Sequence, residues 1–367
     1  MLLKNEFSFL KKSKIKAGEG KKDGAYPFFT SSDSKLLYLD EYIFDDEAII
    51  VGTGGMPSCN YYNGKFAVST DNYVLVPIGK TKAKTLYYFL RNNNLEILAR
   101  GFHGAGLKHI GKDYLENIQL PVITAAIQDK LIKELDSIVL FIKSLDNQLE
   151  KLDELIKSRF IEMFGNPVMN SYNWETKLLK QITTKIGSGA TPRGGKSSYP
   201  SEGVFLIRSM NVYDNEFEYE NLAHLTDKQA KELDNVIVKS GDVLFNITGA
   251  SIARCCVVPD DVLPARVNQH VSIVRTAVIN NLFLSHLLTC YPIKNKLIGI
   301  GESSGATRQA LTKSDLENVT IIVPPIELQN EFSGLVKLVD KSKFILQKQK
   351  KNLEELYESK LHEYFGD

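Results

Sequence analysis

Cysteine is scarce in this 367-residue chain: it stands only at positions 59, 255, 256 and 290, never in a Cys-x-x-Cys pair. Neighbouring Cys255 and Cys256 have poor geometry for a bridge, so a reduced, cytoplasmic protein is expected. The six histidines show no metal-ligand spacing with one another or with cysteine, which argues against a zinc site. Long hydrophobic runs are missing: nothing approaches the roughly 18 residues of a membrane span. The opening MLLKNEFSFLKKSK also lacks the apolar core of a signal peptide. A surplus of either charge is missing as well. The 45 Lys+Arg and 44 Asp+Glu leave a net +1, which argues against a simple, strongly basic nucleic-acid binder; any DNA affinity would have to come from local patches or partner subunits. What remains, 43% hydrophobic and 24% charged, is the composition of a soluble globular protein of two or three domains.

One stretch imitates a phosphate-binding loop. SGATPRGGKSS, residues 188–198, holds Gly189 and Gly194 at Walker A spacing, but Gly195 intervenes before Lys196 and Ser197. The register is off by one. The preceding LLKQITTKI is not the continuous apolar strand that feeds such a loop, and Pro192 stiffens its middle.

Self-similarity explains more. DYLENIQL (113–120) resembles SDLENVTI (314–321), and RFIEMFGNP (159–167) resembles KLHEYFGD (360–367). Leu115/Leu316, Asn117/Asn318, Gln128/Gln329, Glu162/Glu363 and Gly165/Gly366 all stand 201 positions apart. Upstream the echo continues with gaps: DDEAIIVGTGG (45–55) with KSGDVLFNITGA (239–250), STDNYVLV (69–76) with RVNQHVSIV (266–274), and AYPFFTSSD (25–33) with GVFLIRSMN (203–211). The chain is two copies of one unit, each a β-rich segment followed by a helix.

The helix follows from periodicity. Leu131, Leu135, Ile138, Ile142, Leu145, Leu149, Leu152 and Ile156 recur at steps of four and three, a heptad seam between Pro121 and the stop at Gly165-Asn166-Pro167. From Ala126 to Phe164 it spans about 58 Å at ~1.5 Å per residue. The second copy follows Pro324-Pro325 and carries Phe332, Val336, Val339, Leu346, Leu353 and Tyr357, with Lys343 and Lys350 interrupting the face. Two such helices in one chain are expected to pair antiparallel about a pseudo-twofold axis. EAIIVG, NYVLVPI, GVFLIRS, DNVIVKSGDVLFNIT and HVSIVR read as strands; TLYYFLRNNNLEILAR (85–100) and NLFLSHLLTCYPIKNKL (281–297) read as helices in matching positions.

These residues resemble the specificity subunits of type I restriction-modification systems over essentially the whole chain. NWETKLLKQITTKIGSGATP (173–192) is similar to that family's opening of a recognition domain. GDVLFNITGASIARCCVV, VNQHVSIVR, GATRQALTKSDLENVTIIVPPIELQ and EMFGNP resemble its recurrent segments. The resemblance implies an α+β fold. Two β-rich target recognition domains, 1–122 and 167–323, are joined by two long antiparallel coiled-coil helices, 123–166 and 324–367. Each domain would read half of a bipartite site in double-stranded DNA. The helices would set the spacer and dock two methyltransferase subunits, through which restriction and translocase subunits join. The chain itself would be non-catalytic, with S-adenosylmethionine, ATP and Mg held by partners. The absence of an Asn/Asp-Pro-Pro-aromatic tetrad agrees, Asn166-Pro167-Val168 being the nearest approach. A coiled-coil adaptor with no DNA role is the alternative.

Base reading favours Arg for guanine and Asn or Gln for adenine, while Lys, Ser and Thr hold phosphates. In the second copy this selects Arg193, Lys196, Arg208, Asn211, Thr248, Arg254, Gln269, His270 and Arg308. In the first, the repeat points to Lys21, Lys22, Ser31, Ser32, Thr53, Tyr73, His103 and Lys108. For each cation the bland alternative is a solvated surface charge, and for His270 a satisfied core histidine. The first copy lacks the Trp-Glu and Thr-Pro of the second and is shorter, which puts its half-site in question.

Overall fold

Two helices keep the 201-residue offset to the residue: Ala125–Phe164 and Ile326–Phe365, 40 residues each. Both stop at a glycine: Gly165, at a φ of +73° that favours glycine, donates its N–H to Ile161 O, and Gly366 donates to His362 O. The computed structural model describes residues 1–32, 36–192, 198–303 and 310–366. Contacts divide it into one unit of Met1–Asn147 with Leu346–Asp367 and a second of Gln148–Ile345, so each takes one part of either long helix.

The first unit is built on strands β1 (Phe7–Phe9), β2 (Tyr26–Phe29), β3 (Leu37–Leu39), β4 (Phe44–Gly52), β5 (Cys59–Val68) and β6 (Asn72–Pro77). They form one sheet in the order β1-β6-β4-β5-β2-β3, antiparallel except where β2 runs parallel to β5. Side chains alternate across it. Ile49, Val51 and Leu75 face helix α1 (Ala83–Ala99), while Ala48, Ile50 and Val74 meet Phe44, Phe66 and Val68 on the other side. A short hairpin, β7 (Phe102–His103) with β8 (His109–Ile110), leads through α2 (Lys112–Glu116) into α3 (Ala125–Phe164).

The second unit repeats this with more pieces. After β9 (Thr176–Leu178) and α4 (Leu179–Ile182) come β10 (Thr183–Ser188), β11 (Val204–Ile207), β12 (Ala223–Leu225), α5 (Asp227–Glu232) and β13 (Ile237–Val238). Then follow β14 (Val243–Asn246), β15 (Cys255–Val257), β16 (Ala265–Val267), β17 (Val271–Thr276), α6 (Asn281–Thr289), α7 (Tyr291–Ser303), α8 (Lys313–Glu317), β18 (Thr320–Ile322) and α9 (Ile326–Phe365). Eight of these strands make two four-stranded sheets, β10-β17-β14-β15 and β12-β11-β16-β13, while β9 pairs with β18. The first sheet is the middle layer. Val243, Phe245 and Val274 pack on the helices, and Leu244, Cys256 and Ile273 pack on the second sheet through Leu206, Ala265 and Val267.

Two readings of the sequence change here. DNVIVKSGDVLFNIT is two strands, not one: a turn through Gly241, φ +79°, sends β13 to one sheet and β14 to the other. NLFLSHLLTCYPIKNKL is two helices, because Cys290 turns extended (ψ 141°) before Tyr291 and Pro292 has no N–H with which to continue α6.

Within each unit the long helices pair antiparallel. In the first, Lys350 Nζ lies 2.6 Å from Asp146, while Lys360 Nζ lies 3.3 Å from Glu134. In the second, Lys343 Nζ lies 2.7 Å from Asp153, and Phe332 packs on Phe160 and Phe164. The lysines that break the apolar seam therefore face aspartates. Of the seam residues, Leu131, Leu135, Ile138, Leu145, Phe332, Val336 and Val339 are buried, and Ile142, Leu149, Leu152, Leu346 and Leu353 half-buried.

A buried glutamine seats each helix. Gln128 accepts from Lys82 N–H (2.8 Å) and donates to Ile123 O (3.0 Å), tying α3 to the start of α1. Gln329 accepts from Asn280 N–H (2.9 Å) and donates to Pro324 O (2.7 Å), tying α9 to the start of α6.

Candidate nucleic-acid interface

One end of the second unit collects the termini of five strands. β10 ends at Ser188 opposite Ser272, β14 ends at Asn246 opposite Val271, and β11 and β16 end with Ile207 beside Val267. Backbone N–H donors bind the following loops together: Gly189 to Asn268 O (3.1 Å), Asn268 to Ile207 O (3.1 Å), Ile247 to His270 O (3.0 Å) and Leu311 to Ile247 O (2.8 Å). Gly189 is needed for this approach, since a Cβ there would lie 1.8 Å from Val267 O. The glycine that imitates a phosphate loop thus serves close packing of two backbones.

On this frame a polar chain runs in one direction. The Thr191 hydroxyl donates to Gln269 Oε1; Gln269 Nε2 lies 3.1 Å from His270 Nε2; His270 Nδ1 lies 2.6 Å from Thr248 Oγ1. Because the carboxamide nitrogen only donates, this order assigns the imidazole proton to Nδ1. Gln269 is exposed, and Thr248 and His270 are partly so. A carboxamide held in direction by a neighbour suits the donor–acceptor edge of a base. Arg254 stacks 4.5 Å over Tyr213, and its backbone O accepts from Asn246 N–H (2.8 Å).

Arg208 and Asn211 divide differently. The Arg208 guanidinium lies 5.8 Å over Tyr199 and donates to Asn221 O, leaving its Nε buried without a partner. Asn211, by contrast, is fully buried. Its Nδ2 donates to Glu218 O (2.9 Å), and its Oδ1 accepts from Arg208 N–H (3.1 Å). Asn211 braces its loop instead of presenting an amide to a base, because burial commits both ends of the carboxamide. Arg193, Lys196 and Arg308 lie outside the described residues. Pro192 ends the described stretch before the first two, and Ala310, bridged to Thr248, follows the third.

The first unit has the same frame. Phe9 pairs with Leu75, Gly52 with Asn72, and Phe29 with Val68. Thr53 N–H donates to Asp71 O (2.9 Å) and Ile110 N–H to Thr53 O (3.1 Å). These bonds shift the alignment drawn from the sequence by one residue. Thr53 stands where Ile247 stands, Gly54 takes the place of Thr248, Asp71 that of His270, and Tyr73 that of Ser272. Thr53 is accordingly buried. Tyr73 packs edge-on against Phe9 with Lys12 Nζ 4.3 Å over its ring. His103 and Lys108 are exposed on the β7–β8 hairpin, with Lys108 O accepting from Gly55 N–H (3.2 Å). Ser31 O accepts from the Ser58 hydroxyl (3.0 Å), and Ser32 is exposed. Lys21 is bridged to Tyr38 of β3 and ion-paired to Asp40 at 2.6 Å; Lys22 is exposed beside it.

Among the described residues no cluster of His, Cys, Asp and Glu is arranged to hold a metal, and no helix is long and apolar enough to cross a membrane. The type I restriction modification DNA specificity domain family matches residues 5–154 and 172–355. The chain belongs to this family. It is 22% identical over 355 residues to the type I restriction enzyme MjaVIII specificity subunit of Methanocaldococcus jannaschii, a match covering 90% of this chain and 83% of that one. It is 29% identical over 148 residues to the type I restriction enzyme EcoDI specificity subunit of Escherichia coli, covering 40% of this chain and 33% of that one. Its fold is that of a type I restriction-modification system S subunit from M. genitalium, with a TM-score of 0.68 at 14% identity, covering all of this chain and 96% of that one. Nothing in these likenesses supports the adaptor reading.

In this specificity-family member the sequence reading misses two residues of the second unit's loops, Thr191 and Tyr213, and one of the first unit's, His109. Thr191, which orients Gln269, was legible as part of Gly-x-Thr-Pro. Tyr213, under Arg254, stands two residues after Asn211. His109, its Nδ1 3.2 Å from Thr53 O, carries no signal beyond its place six residues after His103.

Proposed function

We propose that this chain is the DNA-recognition subunit of a type I restriction-modification complex. Residues 1–122 read one half of a bipartite target and 167–323 the other. The observation that carries this reading is the repetition of one frame, in which strand ends gather loops bearing polar and cationic side chains. Gln269, oriented by Thr191 and His270, and Arg254, stiffened on Tyr213, are the base-reading groups of the second half-site. The helical segments 123–166 and 324–367 set the spacing, since faces of duplex DNA recur about every 34 Å. They also dock two methyltransferase subunits. Leu140 and Phe141 on α3 and Leu338 and Phe344 on α9 are between 61% and 69% exposed, which favours such docking.

The chain performs no covalent step itself. S-adenosylmethionine is bound by the methyltransferase subunits; ATP and Mg serve the restriction and translocase subunits, all in the cytoplasm. The test is adenine-methylation mapping of DNA from cells expressing this chain with its methyltransferase. A bipartite motif with a fixed spacer is expected. A palindrome built from one half-site would mean that the first segment does not read. No methylation, with both proteins expressed, would overturn the proposal.

A further inference from the structure

The first copy has no Ser-Gly-x-Thr-Pro stretch, and strand register shows what stands in its place. Phe9 pairs with Leu75 as Ile186 pairs with Val274, and Leu75 pairs with Ile49 as Val274 pairs with Val243. Counting forward from Phe9 and Ile186, Leu10-Lys11-Lys12-Ser13-Lys14-Ile15 takes the place of Gly187-Ser188-Gly189-Ala190-Thr191-Pro192. A lysine-rich run thus replaces a glycine-rich one at the same position in the frame. Leu10 N–H donates to Val74 O (2.9 Å) and Thr70 N–H to Ile15 O (2.9 Å), which holds the run against the strand-end loops.

Burial alternates along it. Ser13 is buried and Ile15 half-buried, whereas Lys12, Lys14 and Lys16, with Lys11 before them, are exposed. No acidic residue occurs between Leu10 and Gly18. Glu19 is engaged by the Lys16 backbone N–H (2.8 Å). None of the four lysines makes an ion pair among the described residues, unlike Lys21 on Asp40. Exposed Lys108 lies on the hairpin bonded to the neighbouring loop. Four unneutralised ammonium groups on a short stretch suit a row of phosphates. As point charges on flexible stems, lacking the fixed fork of arginine, they suit phosphate contacts, which position the protein without selecting a sequence.

We propose that Lys11, Lys12, Lys14 and Lys16 form a phosphate clamp by which the first unit grips the backbone of duplex DNA, in place of the glycine-rich loop of the second. This rests on the DNA-recognition reading above. The clamp supplies affinity and register, and the bases are read by other residues.

The test uses the full chain in complex with its methyltransferase subunits, titrated over a KCl series with a duplex carrying the mapped motif and with a scrambled duplex. The variant K11Q/K12Q/K14Q/K16Q is expected to lose at least tenfold in affinity for both duplexes at low salt. The slope of log K against log[KCl] should fall in magnitude by about 3 to 4, at ~0.9 per phosphate contact. The methylated motif should stay the same, and the all-arginine counterpart should keep the wild-type slope. An unchanged slope overturns the clamp. So does a loss confined to the motif duplex with altered bases in one half-site, which would make these lysines base readers. A wild-type complex that does not distinguish the two duplexes would sink the DNA-recognition function itself, and the clamp with it.

Discussion

In the first unit a single ten-residue strand, Cys59–Val68, occupies the position that two strands share in the second. Cys59–Phe66 pairs antiparallel with β4, its first residues as β15 pairs with β14, and Ala67 and Val68 run parallel to β2 as β16 runs parallel to β11. Read through that correspondence, the sheet order β1-β6-β4-β5-β2-β3 is the same as β10-β17-β14-β15 followed by β16-β11-β12. The second unit breaks the strand between Val257 and Ala265 and lays its two sheets face to face. The first keeps it whole and remains one sheet. The shorter copy therefore has the same strand framework with fewer insertions. Chain length between equivalent pairings decides whether the sheet splits into layers.

The cores differ as informatively. Asp242, fully buried, is held by the Arg275 guanidinium at 2.6 and 2.7 Å and accepts from Lys239 N–H. The strand registers put Ala48 and Val76 in these places in the first unit. One copy closes this spot with an ion pair and the other with aliphatic contact. Breaking the comparison there should have the largest effect. Arg275→Ala strands a buried carboxylate and should cost about 3 kcal/mol or more. Asp242→Ala with Arg275→Val, which copies the first unit, should recover most of it. Urea denaturation followed by the fluorescence of Trp174, the chain's single tryptophan and a member of the second unit, measures both. Equal losses in the two variants would show that the ion pair is not the source.

A pH effect should also separate the units. Tyr88 packs on α3 in the first, donating its hydroxyl to Asp136 (2.6 Å) with burial pushing its pKa far up. The corresponding place on α6 holds His286, edge-on to Phe332, where burial first and the Lys343 charge second push its pKa down to about 4. An unfolded histidine has a pKa of ~6.5. Between these values the unfolded chain binds a proton that the folded one does not. The second unit should accordingly lose stability, on the order of 2 kcal/mol, as pH falls from about 6.5 to about 4, and level off below. His286→Tyr should flatten that loss in the Trp174 signal; an identical loss in the variant would assign it elsewhere. The smallest effect is expected at the seam. Lys343 and Lys350 face half-exposed aspartates, so Lys343→Ala and Lys350→Ala should each cost under about 1 kcal/mol. A much larger loss in thermal denaturation would mean that these pairs dictate helix register.

Legibility followed the range of the interactions. The first long helix, expected from Ala126 to Phe164, was readable to within one residue, because a heptad stripe ending in glycine is a local property. EAIIVG, NYVLVPI and HVSIVR were readable as strands for the same reason. The Thr-Gly echo misled by one position: Thr53 and Thr248 share a letter pattern, but only the bonds to Asp71 and His270 set their register. Asn211 carried a base-reading residue type that burial had already committed to Glu218 and Arg208.

The amino-acid sequence alone determined that there are two copies, that each carries one long helix, and that the second apolar seam echoes the first apart from Lys343 and Lys350. These depend on the spacing of apolar side chains along one segment and on turn residues at its ends. Tertiary structure decided which side chains meet. Thr191, Thr248, Gln269 and His270 become neighbours only when β10, β14 and β17 pair in register, and Lys11 to Lys16 acquire a role only from the strand they extend. Such partners are separated by dozens of residues of chain, and the pairing that closes those loops is a property of the whole sheet.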